Sequence, residues 1–171
     1  MRLHRYPVAG QANINTTAGS VLQLAAEDPT YGTSLQDAVS LSGSVMTCLL
    51  TGPYRIDVGY SYTDATSRGN PQGRIQISTN SGASWADHPY LGSMGYVRNA
   101  TGHQTSSIEF SDVISLNQGD QVRIFTQQEA GAGVMPLTAG HGRVLVEFRG
   151  DLLDDPLSLG PTYWNDLLAS L

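Results

Sequence analysis

Lysine is absent from this chain of 171 residues; all nine basic residues are arginines, set against fifteen acids. At a formal net charge of −6 the chain lacks the cation density that displaces counterions from phosphates, which argues against nucleic acid as a partner. Charged residues make up only 14% of the chain, well below the usual quarter, so its surface must rely on Ser, Thr, Asn, Gln and Gly. Cys48 is the sole cysteine, which excludes an internal disulfide. In the run Val45-Met46-Thr47-Cys48-Leu49-Leu50 it reads as a small buried hydrophobe, not as a nucleophile. No apolar stretch approaches the ~20 residues that a membrane helix needs, so no membrane partner is expected. The opening Met1-Arg2-Leu3-His4-Arg5-Tyr6-Pro7 lacks the apolar core of a signal peptide, and synthesis in the cytoplasm is the expectation.

What the chain does have is alternation. With 40% hydrophobic residues it can bury a core, and 19 glycines and 8 prolines favour turns over long helices. Over 53–62, Tyr54, Ile56, Val58, Tyr60 and Tyr62 fall on one face, with Arg55, Asp57, Gly59 and Ser61 on the other. Period two is the mark of a half-buried strand, because successive side chains project to opposite faces. The pattern returns at Arg74–Ser78, Ser107–Ser111, Gln121–Phe125 and Arg143–Arg149. Turn formers separate these runs, as in Thr79-Asn80-Ser81-Gly82 and Asn117-Gln118-Gly119-Asp120. No strong amphipathic helix lies between them, so a parallel βαβ sheet is excluded and an antiparallel sandwich or barrel predicted. The expected core is Tyr54, Ile56, Val58, Ile75, Ile77, Ile108, Phe110, Val122, Ile124, Val144, Val146 and Phe148. Thr63–Pro71, Gln128–Gly142 and the stretch 79–104 read as loops.

Three segments follow from this patterning: an N-terminal arm over 1–30, the β-domain over 31–153 and a C-terminal tail over 154–171. The arm carries Arg2 and Arg5 and no acid before Glu27; the tail carries Asp154, Asp155 and Asp166 and no base after Arg149. Such opposite ends suit contacts with different partners, or with each other across neighbouring subunits. In the tail, Trp164, Leu167, Leu168 and Leu171 form one stripe of a short helix with Thr162 at its N-cap. Ten residues hold helix poorly alone, so the stripe is expected to dock on a surface.

Three pieces of the β-domain carry a resemblance: Gly52-Pro53-Tyr54-Arg55-Ile56-Asp57-Val58, then Ile114 to Ile124 with its Leu116, Gly119-Asp120 turn and Val122, then Val144 to Leu153 with Phe148-Arg149-Gly150. Their order and spacing, over about residues 40–153, resemble the jelly-roll trimer superfamily of tumour necrosis factor and the complement-type globular head. The resemblance implies an all-β, antiparallel jelly-roll β-sandwich that assembles as a homotrimer. Leu49 and Leu145, on outward faces of their strands, fit that implication. The chain departs from the family in having only three phenylalanines, and it shows no collagen-like stalk. Lysine-poor jelly rolls with such arms and no signal peptide look like bacteriophage virion proteins, namely head-decoration (cement) proteins, head spikes and fibre tips.

Chemistry is sparse by comparison. His4, His88, His103 and His141 show no metal-ligand spacing, and no Gly-x-Ser-x-Gly elbow or phosphate loop is present. Asp154 and Asp155 are adjacent, which points them apart in an extended segment and makes them a poor glycosidase pair. No enzyme activity, cofactor or metal is expected. The favoured expectation is a non-enzymatic virion structural protein: a trimeric capsid decoration or head-spike protein, resident in the virion and bound to the major capsid protein or another virion protein. Its partner-binding candidates are Arg2, Arg5, Trp164, Leu167, Leu168 and Leu171. The alternative is a receptor- or glycan-binding tip of a phage fibre, using Trp85, Tyr90 and Tyr96, whose aromatic faces suit sugars.

Overall fold

A computed structural model describes residues 2–28, 38–63, 68–98 and 100–150. The order of elements is β1 (Arg2–Pro7), β2 (Ser20–Val21), β3 (Val39–Ser42), β4 (Val45–Cys48), β5 (Gly52–Thr63), β6 (Asn70–Ser78), β7 (Ala86–Met94), β8 (Thr105–Leu116), β9 (Gln121–Ala130) and β10 (Leu137–Phe148). Two antiparallel sheets result. One has the order β1-β10-β5-β8; the other has β3-β4-β9-β6-β7, with β2 also on β9. These are the two layers of a sandwich, as the alternation predicted, and the strand order is consistent with the jelly roll that the resemblance implied.

The core forms where inward rows of the two sheets meet. Tyr54, Ile56, Val58, Tyr60 and Tyr62 of β5 are all buried, and each sits directly across from a residue of β8. Val144, Val146 and Phe148 flank them on β10, while Ile75, Val122 and Ile124 face them from the opposite sheet. Of the expected core, Ile77 and Phe110 are only partly buried. Phe110 lies on β8, which is an edge strand of its sheet among the described residues. Ile77 lies near the end of β6, beyond an irregularity in the β6–β7 register.

The N-terminal segment is not an arm. Residues 2–7 pair along β10, from Arg2 opposite Phe148 to Pro7 opposite Arg143. His4, Tyr6 and Val8 alternate inward and are 2%, 1% and 1% exposed. A period-two signal was therefore present at the start of the chain, in His4, Tyr6 and Val8, with Arg5 and Pro7 between them. Ser20–Val21 pairs with Thr126 and Phe125 of the other sheet, and Ile14 and Leu22 are fully buried. The polar run between them is tied down by Asn15, whose buried amide donates to the carbonyls of Gly131 (2.8 Å) and Gly133 (2.9 Å). The domain thus includes 2–28 and does not begin at 31. The expected tail over 154–171, with its short helix, lies outside the described residues.

His4 fixes β1 to the chain on both sides of 29–37. Its Nε2 accepts the Ala38 N–H at 3.2 Å, which leaves Nδ1 to donate to Glu27 Oε1 at 2.9 Å. The β3–β4 hairpin turns at Gly43 and Ser44, both with positive φ (54° and 69°), as a two-residue turn requires. Ser44 is buried there because its hydroxyl accepts the Leu24 N–H at 2.9 Å.

Two of the expected loops are strands. β7 occupies the middle of 79–104 and β10 begins at Leu137. Both were masked in the sequence by interrupted alternation. β7 contains Pro89, and its register against β6 shifts between Arg74 and Gln76; β10 shifts against β5 between Leu137 and Gly142.

Candidate functional site

Each sheet turns one face to solvent, and the two faces differ in chemistry. On the four-stranded sheet, outward positions carry Arg55 and Asp57 of β5, Glu109, Ser111 and Val113 of β8, and Arg143, Leu145 and Glu147 of β10. Gly59 has no side chain in the middle of this face, and a hollow of about 570 Å³ opens over it. Asp57, Glu109, Ser111, His141 and Arg143 line the hollow. Charges on the face are paired locally: Arg55 Nε lies 3.2 Å from Asp57, and Arg149 Nε lies 3.4 Å from Glu147. Asp57 also accepts a hydrogen bond from the Ser111 hydroxyl. Val113, on the edge strand, is 44% exposed. This face is mixed in charge and hollowed at its centre.

The other sheet presents an aromatic–guanidinium ladder. Arg123 and Phe125 project outward from β9, and Arg74 and Gln76 lie directly across from them on β6, as Arg74–Phe125 and Gln76–Arg123 pairs. The Arg123 guanidinium stands 4.1 Å from the centre of the Trp85 ring and 5.4 Å from that of Phe125; Arg74 stands 5.3 Å from Phe125 on the same face. Glycine at position 19 is required here, because a Cβ on it would lie 2.3 Å from the Phe125 ring. Arg74 is tied to its neighbours, donating to Gln72 and Gln127 with its Nε 3.2 Å from Asp87. Arg123 donates through Nε to Gln76 at 2.8 Å, and no carboxylate lies within ion-pair distance of it among the described residues. Gln76 in turn donates to Asp87 at 2.7 Å. Partial burial pulls the Arg123 pKa down and the Asp87 charge opposes this; an arginine remains cationic at neutral pH regardless.

The sequence candidates are distributed unevenly over these faces. Trp85 joins the ladder and is half-buried. Tyr96 is 50% exposed, but it follows the far end of β7, whereas Trp85 precedes its start. A nine-residue strand separates them by roughly 30 Å at 3.3 Å per residue, so they do not form one patch. Tyr90 lies within β7. Arg2 and Arg5 are in β1 and not in a free arm, and Arg5 has Asp28 at 3.9 Å. Trp164, Leu167, Leu168 and Leu171 lie outside the described residues. Arg123 and Phe125 were legible as outward residues of an alternating strand, but nothing in the sequence pairs them with Trp85, which is remote in the chain.

Buried reactive groups are held inert. Burial, reinforced by the charge of Asp120 and opposed by the Tyr54 hydroxyl, pushes the Cys48 thiol up to about 12. Burial likewise raises Tyr60, with Tyr62 adding to it. Among the described residues no group of three or more His, Cys, Asp or Glu side chains is placed to hold a metal ion.

Two antiparallel sheets in this strand order, closed over one core, define an all-β jelly-roll sandwich, and the comparison with solved structures agrees. The chain is similar to the Eiger TNF of S. frugiperda, with a TM-score of 0.60 over 90% of this chain and 95% of that one, at 12% sequence identity. The likeness is one of fold: a TNF-like jelly roll. No protein-family model matches the sequence, and no curated protein sequence does.

Proposed function

We propose that this chain is a non-enzymatic structural protein of a phage virion, a homotrimeric jelly roll that decorates or cements the capsid or stands on it as a head spike. The TNF-like fold supports the trimer, since the superfamily that the sequence resembles is built of such trimers. The observation that carries the reading is the outward face of the β1-β10-β5-β8 sheet. It is mixed in charge and hollowed at Gly59, and among the described residues it ends at the edge strand β8 with Val113 exposed. A second copy meeting this face through its own edge would cover Val113 and Leu145 and set Arg143 against the acids Asp57 and Glu109. The inert thiol and phenols inside the sandwich suit a protein that holds a shape and performs no chemistry. A symmetric trimer also gains avidity on a shell of repeating subunits, because three weak contacts act as one. The acidic, Trp-bearing residues 154–171 would supply such contacts, reaching the major capsid protein or another virion protein.

The test is the mass of the purified full chain in solution, alone and after mixing with empty capsids of its phage. Three chains of 18.3 kDa give about 55 kDa, and sedimentation of a trimer with capsids is the expected result. A monomer at micromolar concentration that also fails to sediment with capsids overturns the proposal.

A further inference from the structure

We propose that the outward face of the β9–β6 sheet, at Trp85 and Arg123, binds a saccharide bearing a carboxylate. The two arginines of the ladder are the starting point. Arg74 spends both terminal nitrogens on Gln72 and Gln127, and Asp87 lies 3.2 Å from its Nε. Arg123 spends only Nε, on Gln76, and its two terminal nitrogens have no partner among the described residues. A guanidinium held by Nε and stacked on Trp85 at 4.1 Å is already oriented, so little side-chain freedom remains to be lost when it binds. Its open edge is the planar fork that matches a carboxylate with two parallel hydrogen bonds.

The surroundings select the rest of the ligand. Trp85 and Phe125, both half-buried, present rings beside the fork, and such rings pack against the C–H faces of a sugar. Gln76, whose amide joins Arg123 to Asp87, lies beside the fork, and Gln72 and Gln127 extend the polar face around Arg74, groups suited to hydroxyls. A peptide adding as a strand has no opening here, since β6 and β9 are both paired along their two edges. A polyphosphate or nucleic acid is disfavoured by the nearby Asp87 and by the net charge of −6. One carboxylate on a largely neutral, hydroxyl-rich molecule is what the face fits. The site belongs to a single chain, and it stands or falls independently of trimer formation and capsid binding.

Trp85 and Trp164 are the two tryptophans, so a Trp164→Phe chain reports on Trp85 alone by fluorescence. Titration with galacturonic acid should change that fluorescence saturably. Its methyl ester, which keeps the sugar and removes the charge, should bind at least about tenfold more weakly. Arg123→Gln, and Arg123→Lys, which keeps the charge but loses the fork, should each weaken binding by a similar factor. Tyr96→Ala, at the far end of β7, should leave it unchanged. Equal binding of acid and ester overturns the proposal even if the Arg123 variants do not fold. An acetylated glutamate amide that binds as tightly as the saccharide overturns it in favour of an acidic protein partner, and no response to galacturonic acid at millimolar concentration overturns it outright.

Discussion

Replacing Val146 by alanine tests the register of the last strand, on which the assignment of inner and outer faces depends. Val146 is 2% exposed, lies between His4 of β1 and Ile56 of β5, and touches a small void shared with Val39, Met46, Cys48, Tyr54, Leu116 and Val122. Val146→Ala removes two methyl groups. At about 0.8 kcal/mol per buried methylene-sized group the transfer loss is about 1.6 kcal/mol. The void is already present, so its walls have not collapsed in the native protein, and the enlarged cavity adds a further cost at about 24 cal/mol per Å³. The sum is about 2–3 kcal/mol. Leu145→Ala, one residue earlier on the outward face, should cost under about 1 kcal/mol although it removes more atoms. Urea unfolding of both variants at one fixed protein concentration measures the difference, with an unchanged m-value marking a change in stability alone. A loss near zero for Val146→Ala together with a large one for Leu145→Ala would show that β10 is shifted by one residue, exchanging its two faces.

His4→Leu removes the acceptor of the Ala38 amide and the donor to Glu27, and should destabilise the fold by about 1–3 kcal/mol, with hydrogen exchange at Ala38 accelerated first. Asn15→Ala should cost a similar amount in chemical denaturation, because the Gly131 and Gly133 carbonyls both lose their donor. Cys48 should resist iodoacetamide at pH 8 in the native protein and react once urea unfolds it; rapid native labelling would contradict its burial. The same thiol ties stability to pH. The unfolded group ionises near its ordinary 9.0 and the folded one near 12, so the unfolded state sheds its proton first and stability falls as pH climbs between these values. The raised phenols of Tyr60 and Tyr62 act in the same direction, and a urea midpoint that holds steady from pH 8.5 to 11 would refute this.

The central strands were legible because burial on one face alone imposes period two, and β5 obeys it without interruption from Tyr54 to Tyr62. β1 obeys it as well, through His4, Tyr6 and Val8, but one of its inward residues is a histidine, whose burial depends on a hydrogen bond donated to Glu27 and one accepted from Ala38, both of which only the fold brings near. β7 was illegible because it is an exposed edge: Ala86, Asp87, Pro89, Gly92 and Met94 all face solvent, so nothing forces alternation on it. Of the candidate site, Trp85 could be read as a loop aromatic from its turn-rich setting. Its partnership with Arg123 required knowing that β6 lies beside β9, a pairing across some fifty residues that no local pattern encodes.

The first strand lies against the last, with Arg2 opposite Phe148, while Ser20–Val21 belongs to the other sheet. The opening segment therefore laces both layers together, yet half of what it needs is synthesised only when β10 emerges. Until then Tyr6 has no strand to pair with, and closing so long a loop is entropically costly, which places this domain among slow folders with high contact order. The same adjacency sets residue 2 beside residue 148 in space. A short linker joining them, with new ends opened at the exposed Thr101-Gly102 turn, would turn the most distant pairing into a hairpin and should speed folding without altering either face.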